Sequence, residues 1–210
     1  QQHWKILALE MGGKNAAIVF PDADLDVALR ETLVGAFLTT GQRCSATSRV
    51  LVHRDVIGSF VERFHARAKA FSIGYPLENP FMGCLIDQSA VDRYLKFVGM
   101  AAREGYEVIM RGKQIKLKVN GNYVSPSVVL AENSDLDRIK KSVFFQTELF
   151  SPCVAIFPFS DLEEAVVLAN ATHYGLVTSV FTASRQTYEK CWDGGALAGA
   201  HCNETVSADR

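Results

Sequence analysis

An open, twisted, mostly parallel α/β sheet with helices on both faces is the fold class this sequence predicts, and three observations carry it. Apolar strand-like runs alternate with helical stripes at least four times along the chain. No internal repeat or low-complexity tract interrupts that alternation. A chain of 210 residues, 48% hydrophobic and 21% charged, buries about 70% of its unfolded surface, which supports one domain over residues 1–210.

The elements follow in order. Ile6, Leu7 and Leu9 precede Glu10-Met11-Gly12-Gly13, and Ala16 to Phe20 ends at Pro21, so two strands around a glycine turn are predicted. Asp22-Ala23-Asp24 gives an acidic start to a helix striped by Leu25, Leu29, Leu33, Ala36 and Phe37, with Gly41 as its stop. Arg49 to His53 alternates as a strand, and Asp55 is placed to cap a helix striped by Ile57, Phe60, Val61, Phe64, Ala68 and Phe71. Gly74-Tyr75-Pro76 and Asn79-Pro80 mark a loop. Asp87 then caps a helix striped by Val91, Tyr94, Leu95, Val98 and Ala102, which Gly105 stops. Tyr106 to Met110 is a strand, and Lys113 to Lys118 reads as an exposed hairpin edge protected by charge. Val154 to Phe157 is strand-like, and Ser160-x-x-Glu163 forms a capping box ahead of Ala165, Val166 and Leu168. Leu176 to Phe181 is a further strand; Ser184 opens a last helix that Gly194-Gly195 ends.

Composition excludes several classes. With 22 Lys and Arg against 23 Asp and Glu, the net charge of −1 argues against nucleic-acid binding driven by bulk charge. No apolar stretch approaches the ~20 residues that cross a bilayer. Gln1 to Leu9 carries one lysine, lacks a small-residue cleavage site and runs into Glu10, so it reads as a cut inside something longer rather than a secretory signal. Five cysteines, odd in number and without a C-x-x-C pair, point to a reducing compartment, the cytoplasm, and away from a disulfide framework or zinc site.

Two segments carry chemistry. Glu10 sits on the glycine turn Leu9 to Asn15, and Cys44 closes Gly41-Gln42-Arg43-Cys44 just past a helix. With two strands and a helix between them, a carboxylate and a thiol meet at one end of the sheet, the end where α/β folds place their sites. A thiol of pKa near ~8.5 needs a base to act as a nucleophile at neutral pH, and a partly buried glutamate can take its proton or that of a water. Spacing alone does not decide this, because a lone cysteine is more often a small buried hydrophobe and Gly-Gly after a strand is usually a turn.

The wording of the motifs goes further. Leu9-Glu10-Met11-Gly12-Gly13-Lys14 and Gly41-Gln42-Arg43-Cys44, with Glu148-Leu149-Phe150-Ser151-Pro152 and the Ala169-Asn170-Ala171-Thr172-His173-Tyr174-Gly175-Leu176 stretch, resemble four blocks of the aldehyde dehydrogenase superfamily, in order and over most of the chain. The resemblance implies that Cys44 adds to an aldehyde carbon, hydride leaves for NAD or NADP, and water activated by Glu10 hydrolyses the thioester. It implies that the Cys44 backbone N–H helps hold the oxyanion, with an upstream asparagine as the other donor. By the same carry-over, Glu148 bonds the nicotinamide ribose, Phe150 lies against the nicotinamide and the Met11 backbone touches its carboxamide. Ser151 stands where the family block has glycine, so a positive φ there would strain the loop.

The main cofactor-binding domain is expected upstream of Gln1 and an oligomerisation strand after Asn203, making this a catalytic domain with negligible NAD-dependent activity alone, taken from a homo-oligomer. Glu10 to Gly13, the Cys44 block and Asn79-Pro80-Phe81-Met82-Gly83-x-Leu85-Ile86 look most like N-succinylglutamate 5-semialdehyde dehydrogenases of arginine breakdown, and Cys44-Ser45-Ala46 also resembles glutamate-semialdehyde (pyrroline-5-carboxylate) dehydrogenases. For such acidic substrates Arg43 offers a carboxylate partner and Ser45 a hydrogen bond, unless Arg43 faces solvent or caps the preceding helix. Two other classes stand beside these: a Cys-dependent hydrolase using His53 or His3 as base, and a non-catalytic assembly module. The five histidines show no H-x-x-x-H, which disfavours metal catalysis.

Overall fold

The structure is a computed structural model and describes residues 6, 8–192, 197 and 202–203. In chain order the elements are β1 (Asn15–Val19), α1 (Leu25–Phe37), β2 (Thr47–His53), α2 (Ile57–Lys69), a 3-10 turn (Pro76–Glu78), α3 (Gln88–Arg103), β3 (Glu107–Met110), β4 (Gln114–Ile115), β5 (Tyr123–Val124), β6 (Ser127–Leu130), α4 (Leu136–Lys141), α5 (Val143–Gln146), β7 (Cys153–Phe159), α6 (Leu162–Ala169), β8 (Thr178–Phe181), α7 (Arg185–Trp192) and β9 (Cys202–Asn203). The main sheet runs β3-β6-β7-β2-β1-β8-β9, parallel throughout except for β3 against β6; β4 and β5 form a separate antiparallel pair.

Side-chain alternation divides the core into two layers. Ala17 and Val19 of β1, Val50 and Val52 of β2, and Val154 and Ile156 of β7 face α1 and α2, meeting Leu29, Leu33, Phe37, Phe60 and Phe64. Their neighbours Ala16, Ile18, Leu51, Ala155 and Phe157 face the opposite way, onto α3, α5 and α6 through Tyr94, Val98, Phe145 and Leu168. The mostly parallel sheet covered on both sides is therefore as the sequence predicts. No helix among the described residues is long and apolar enough to cross a membrane.

Several local expectations are corrected. Ile6 and Leu9 form no strand: they are 98% and 67% exposed, and no strand among the described residues faces them, while Leu7 lies outside the described residues. Asp55 does not cap α2; the cap position is Val56, without a side-chain bond, and the Asp55 N–H donates instead to His53 Nδ1 at 3.2 Å. The predicted box moves by one residue. Asp161 is the α6 cap, accepting from Glu164 N, while Glu164 reaches back to Ser160 N at 2.7 Å. β8 begins at Thr178 rather than Leu176. β7 runs on through Pro158 because β6 pairs only as far as Ile156, so the missing N–H faces no ladder on that side. β5, β6, β9, α4 and α5 were not predicted. Gly194 and Gly195 lie outside the described residues.

Arg49 ties the layers together. Only 4% exposed, it donates to the carbonyls of Lys14 (2.8 Å), Leu168 (2.8 Å) and Ala169 (2.7 Å), so one side chain in β2 fixes the entry to β1 and the carboxyl end of α6. Arg49→Met removes a costly buried cation but strips a charged donor from three carbonyls. The second effect wins, and we expect a loss of about 2 to 4 kcal/mol in urea unfolding; an unchanged midpoint would refute it.

Candidate active site

The four motif blocks are the loops that enter β1, β2, β7 and β8, so they gather along one edge of the sheet. That edge is the amino end of the parallel strands. The four blocks share one end of the sheet, but it is the opposite end from the one α/β sheets usually use, because here the motifs precede their strands rather than follow them.

Residues 13–15 hold the edge together. The Gly13 N–H donates to Glu148 Oε1 at 2.9 Å. A Cβ on Gly13 would clash with the Cys44 carbonyl, so only glycine lets the two loops approach this closely. Lys14 Nζ donates to the Thr147 carbonyl at 2.9 Å and the Phe144 carbonyl at 3.3 Å. Asn15 grips the Cys44 loop through Nδ2, at 2.7 Å from the Cys44 carbonyl and 2.9 Å from that of Ala46, and its Oδ1 accepts from Val177 N at 3.0 Å. The β1–β2 register shifts between Asn15 and Ala16, where these bonds are made. Gln42 braces the same loop from the other side, donating to the Cys84 carbonyl at 3.1 Å and accepting from Ile86 N at 2.9 Å. The sequence reading assigned no role to Lys14, Asn15, Gln42 or Arg49. The first three stand inside or beside the motifs, which was the available signal.

Cys44 is half-buried and free. Burial pushes the thiols of Cys153 and Cys191 up to about 11, which keeps them protonated at neutral pH. Arg43 and Ser45, on either side of Cys44, are exposed and line a cavity of about 210 Å³ together with Glu31, Thr47 and Ser179. Glu10 lies on the same edge, three residues and so at most about 11 Å of chain from Gly13. It is exposed and makes no hydrogen bond or ion pair among the described residues; Met11 is 59% exposed. Glu148, Phe150 and Arg43 line one narrow cleft with Gly13. The positive φ of that loop falls on Phe150 (+53°), not on Ser151, and leaves the Phe150 ring 40% exposed. Ser151 is buried instead, its hydroxyl without a partner among the described residues, while its carbonyl packs where a side chain on Gly41 (φ +68°) would sit.

His53 is removed as a base for Cys44. It ends β2, about 20 Å of strand away from the edge that carries the thiol. Its ring is held by the Ser160 carbonyl and by Phe159. His3 lies outside the described residues. No group of three metal-type ligands occurs among the described residues.

Residues 1–210 match the aldehyde dehydrogenase family. The chain belongs to that family. Among aldehyde dehydrogenase relatives, 1-pyrroline-5-carboxylate dehydrogenase 1 of Halalkalibacterium halodurans is 36% identical over 191 residues, 90% of this chain and 35% of that protein. The alpha-ketoglutaric semialdehyde dehydrogenase of Bacillus subtilis is 36% identical over 177 residues, 83% of this chain and 35% of that protein. The crystal structure of 1-pyrroline-5-carboxylate dehydrogenase from Thermus with bound NAD superposes with a TM-score of 0.82 at 28% identity, over 94% of this chain and 36% of that one. The chain thus spans about a third of the length of the relatives it matches.

Lys14 supplies a pH signature of this edge. Burial lowers it from 10.5 to about 8, with Cys153 and Glu148 opposing that shift and Arg49 adding to it. Between pH 8 and 10.5 the folded chain has released this proton and the unfolded chain keeps it, so unfolding takes up a proton and stability rises with pH. The difference in unfolding free energy between wild type and Lys14→Met is therefore expected to move in favour of wild type from pH 8 to 10.5. A pH-independent difference would show that Lys14 is not buried as a cation.

Proposed function

We propose that this chain carries the nucleophile-bearing part of an enzyme that oxidises an acidic semialdehyde to the carboxylic acid with NAD or NADP. The observation that supports it best is the convergence of the Glu10, Cys44 and Glu148 blocks on one edge, tied through Gly13 and Asn15. In this reading the Cys44 thiolate adds to the aldehyde carbon. The Cys44 N–H, which has no acceptor among the described residues, donates to the resulting oxyanion. Glu10 takes a proton from the water that releases the acid from the acylated cysteine.

The residues present suit the nicotinamide half of the cofactor. Phe150 offers an exposed aromatic face, and Glu148 has one oxygen held by Gly13 while the other remains free to accept a ribose hydroxyl. Bound NAD(P) supplies the hydride acceptor. We place its remaining contacts, and the oligomerisation segment, outside this chain. Arg43 and Ser45 supply the partner for the substrate's carboxylate. N-Succinylglutamate 5-semialdehyde and glutamate semialdehyde both carry one, and the 1-pyrroline-5-carboxylate dehydrogenase relatives support the second.

An activated ester such as p-nitrophenyl acetate acylates a thiol without needing a hydride acceptor, so it tests the cysteine and the base directly. We expect a burst of p-nitrophenolate that Cys44→Ala abolishes. Glu10→Gln is expected to keep the burst and slow subsequent turnover by about 10²-fold or more. A burst that survives in Cys44→Ala would end the reading. NAD-dependent aldehyde oxidation by the 210-residue chain is expected to be negligible, and robust turnover would move the cofactor site back into this chain.

A further inference from the structure

Ser151 is 6% exposed, and its hydroxyl has no partner among the described residues. A buried hydroxyl left without a bond costs stability, and such groups in native proteins find a partner in the protein or in an ordered water. Ser151 lines the narrow cleft between the Cys44 loop and the Glu148–Phe150 loop. Two other polar groups of that lining have bonding capacity to spare. The Ser48 hydroxyl makes one long contact among the described residues, 3.5 Å to the Asn15 carbonyl, and Glu148 has one oxygen held by the Gly13 N–H and the other unengaged. Size and charge choose the occupant. The cleft encloses about 20 Å³, where one water needs about 10 to 15 Å³, so it admits a single water and no organic ligand. Arg43 in the wall opposes a cation there, and Glu148 opposes an anion.

We propose that Ser151 is a positioning residue: it holds one internal water in this cleft, and that water joins the Phe150 loop to the Cys44 loop. A buried water makes about three hydrogen bonds, the number that Ser151, Ser48 and Glu148 offer. Each carboxylate oxygen accepts more than one bond, so Glu148 keeps capacity for a ribose hydroxyl. Glycine, the residue of the family block at this place, has no group to hold the water. The join matters because Phe150 has a φ of +53°, a left-handed backbone that a residue with a side chain keeps only where its surroundings fix it. Gly41 meets the Ser151 carbonyl by packing alone, and the water adds directional bonds across the same gap. If Cys44 is the nucleophile and Phe150 the cofactor's face, as in the function proposed above, the water makes the two move as one body. That consequence rests on the proposed function; the water itself does not.

A high-resolution crystal structure of the 210-residue chain tests the site directly. It is expected to show one water within about 3.2 Å of Ser151 Oγ that also bonds Ser48 or Glu148. An ion in its place, a dry cleft, or a direct bond from Ser151 to another protein group would overturn the proposal. Urea unfolding of Ser151→Ala reads the same bond by its sign. A hydroxyl bonded to water makes the substitution destabilising, with the unfolding equilibrium constant raised about fivefold, whereas a hydroxyl without a partner makes it neutral or stabilising, which would also overturn the proposal. Lost stability alone fits any packing defect, so the third readout is oxygen-17 magnetic relaxation dispersion, which counts long-lived internal waters. Ser151→Ala is expected to hold one fewer than wild type, and an unchanged count means that Ser151 does not hold the water. None of these measurements uses Cys44 chemistry, so failure here is separate from failure of the ester burst.

Discussion

Two cations buried without a salt bridge among the described residues govern the architecture of this edge. Lys14 and Arg49 are 3% and 4% exposed, and both turn to backbone carbonyls: Phe144 and Thr147 for Lys14, Lys14 itself with Leu168 and Ala169 for Arg49. Removing a charge from water is costly unless its donors are met, and a carbonyl meets them only at fixed distance and angle. The loops supplying those carbonyls cannot shift independently without stranding a cation. Burial lowers Lys14 to about 8 and Arg49 to about 10, the electrostatic trace of the same arrangement. What the cations give in return is loop placement, the role best attested for buried polar groups elsewhere.

From that constraint the position of the site follows. Asn15 extends the network to the Cys44 loop and to Val177, and Gly13 extends it to Glu148, so one tripeptide contacts three loops distant in sequence. These loops enter their strands, and the carboxyl ends carry the turns into α1, α2 and α6. The amino edge is where the chain has irregular backbone free to converge.

Much of the fold was legible because its strands and long helices obey the periodicities that burial on two faces demands. The elements missed are those too short to display a period. α4 and α5 have six and four residues, and their starts are written only in the N-caps Asp135 and Ser142. β6 has four residues following a proline, and its pairing with β7 is a tertiary fact. The capping box slipped by one because Ser160 and Asp161 both accept hydrogen bonds, and only the geometry of the turn chooses between them. Within the site, the thiol and its flanking residues were readable from the motif. The work of Lys14 and Arg49 was not, since a charged residue at a strand's start reads as surface until the carbonyls it meets, as many as 133 residues away, are known.

The proposed nucleophile, Cys44, and the proposed base, Glu10, are unequally built. Cys44 is half-buried on a loop fixed by Asn15 of β1 and by its own Gln42, which bonds the 84–86 segment, so its backbone is set by the scaffold before any ligand arrives. Glu10 is exposed, and the chain is next anchored at Gly13, whose N–H donates one hydrogen bond to Glu148. In the proposed reaction, attack on the carbonyl draws on the preorganised part and release of the acid on the loosely held part. Glu148 bears on both, because the carboxylate oxygen that steadies Gly13 belongs to the side chain offered to the cofactor. Loss of that one carboxylate therefore disturbs the placement of the base even where no cofactor is bound, which separates its structural contribution from any contact with ribose.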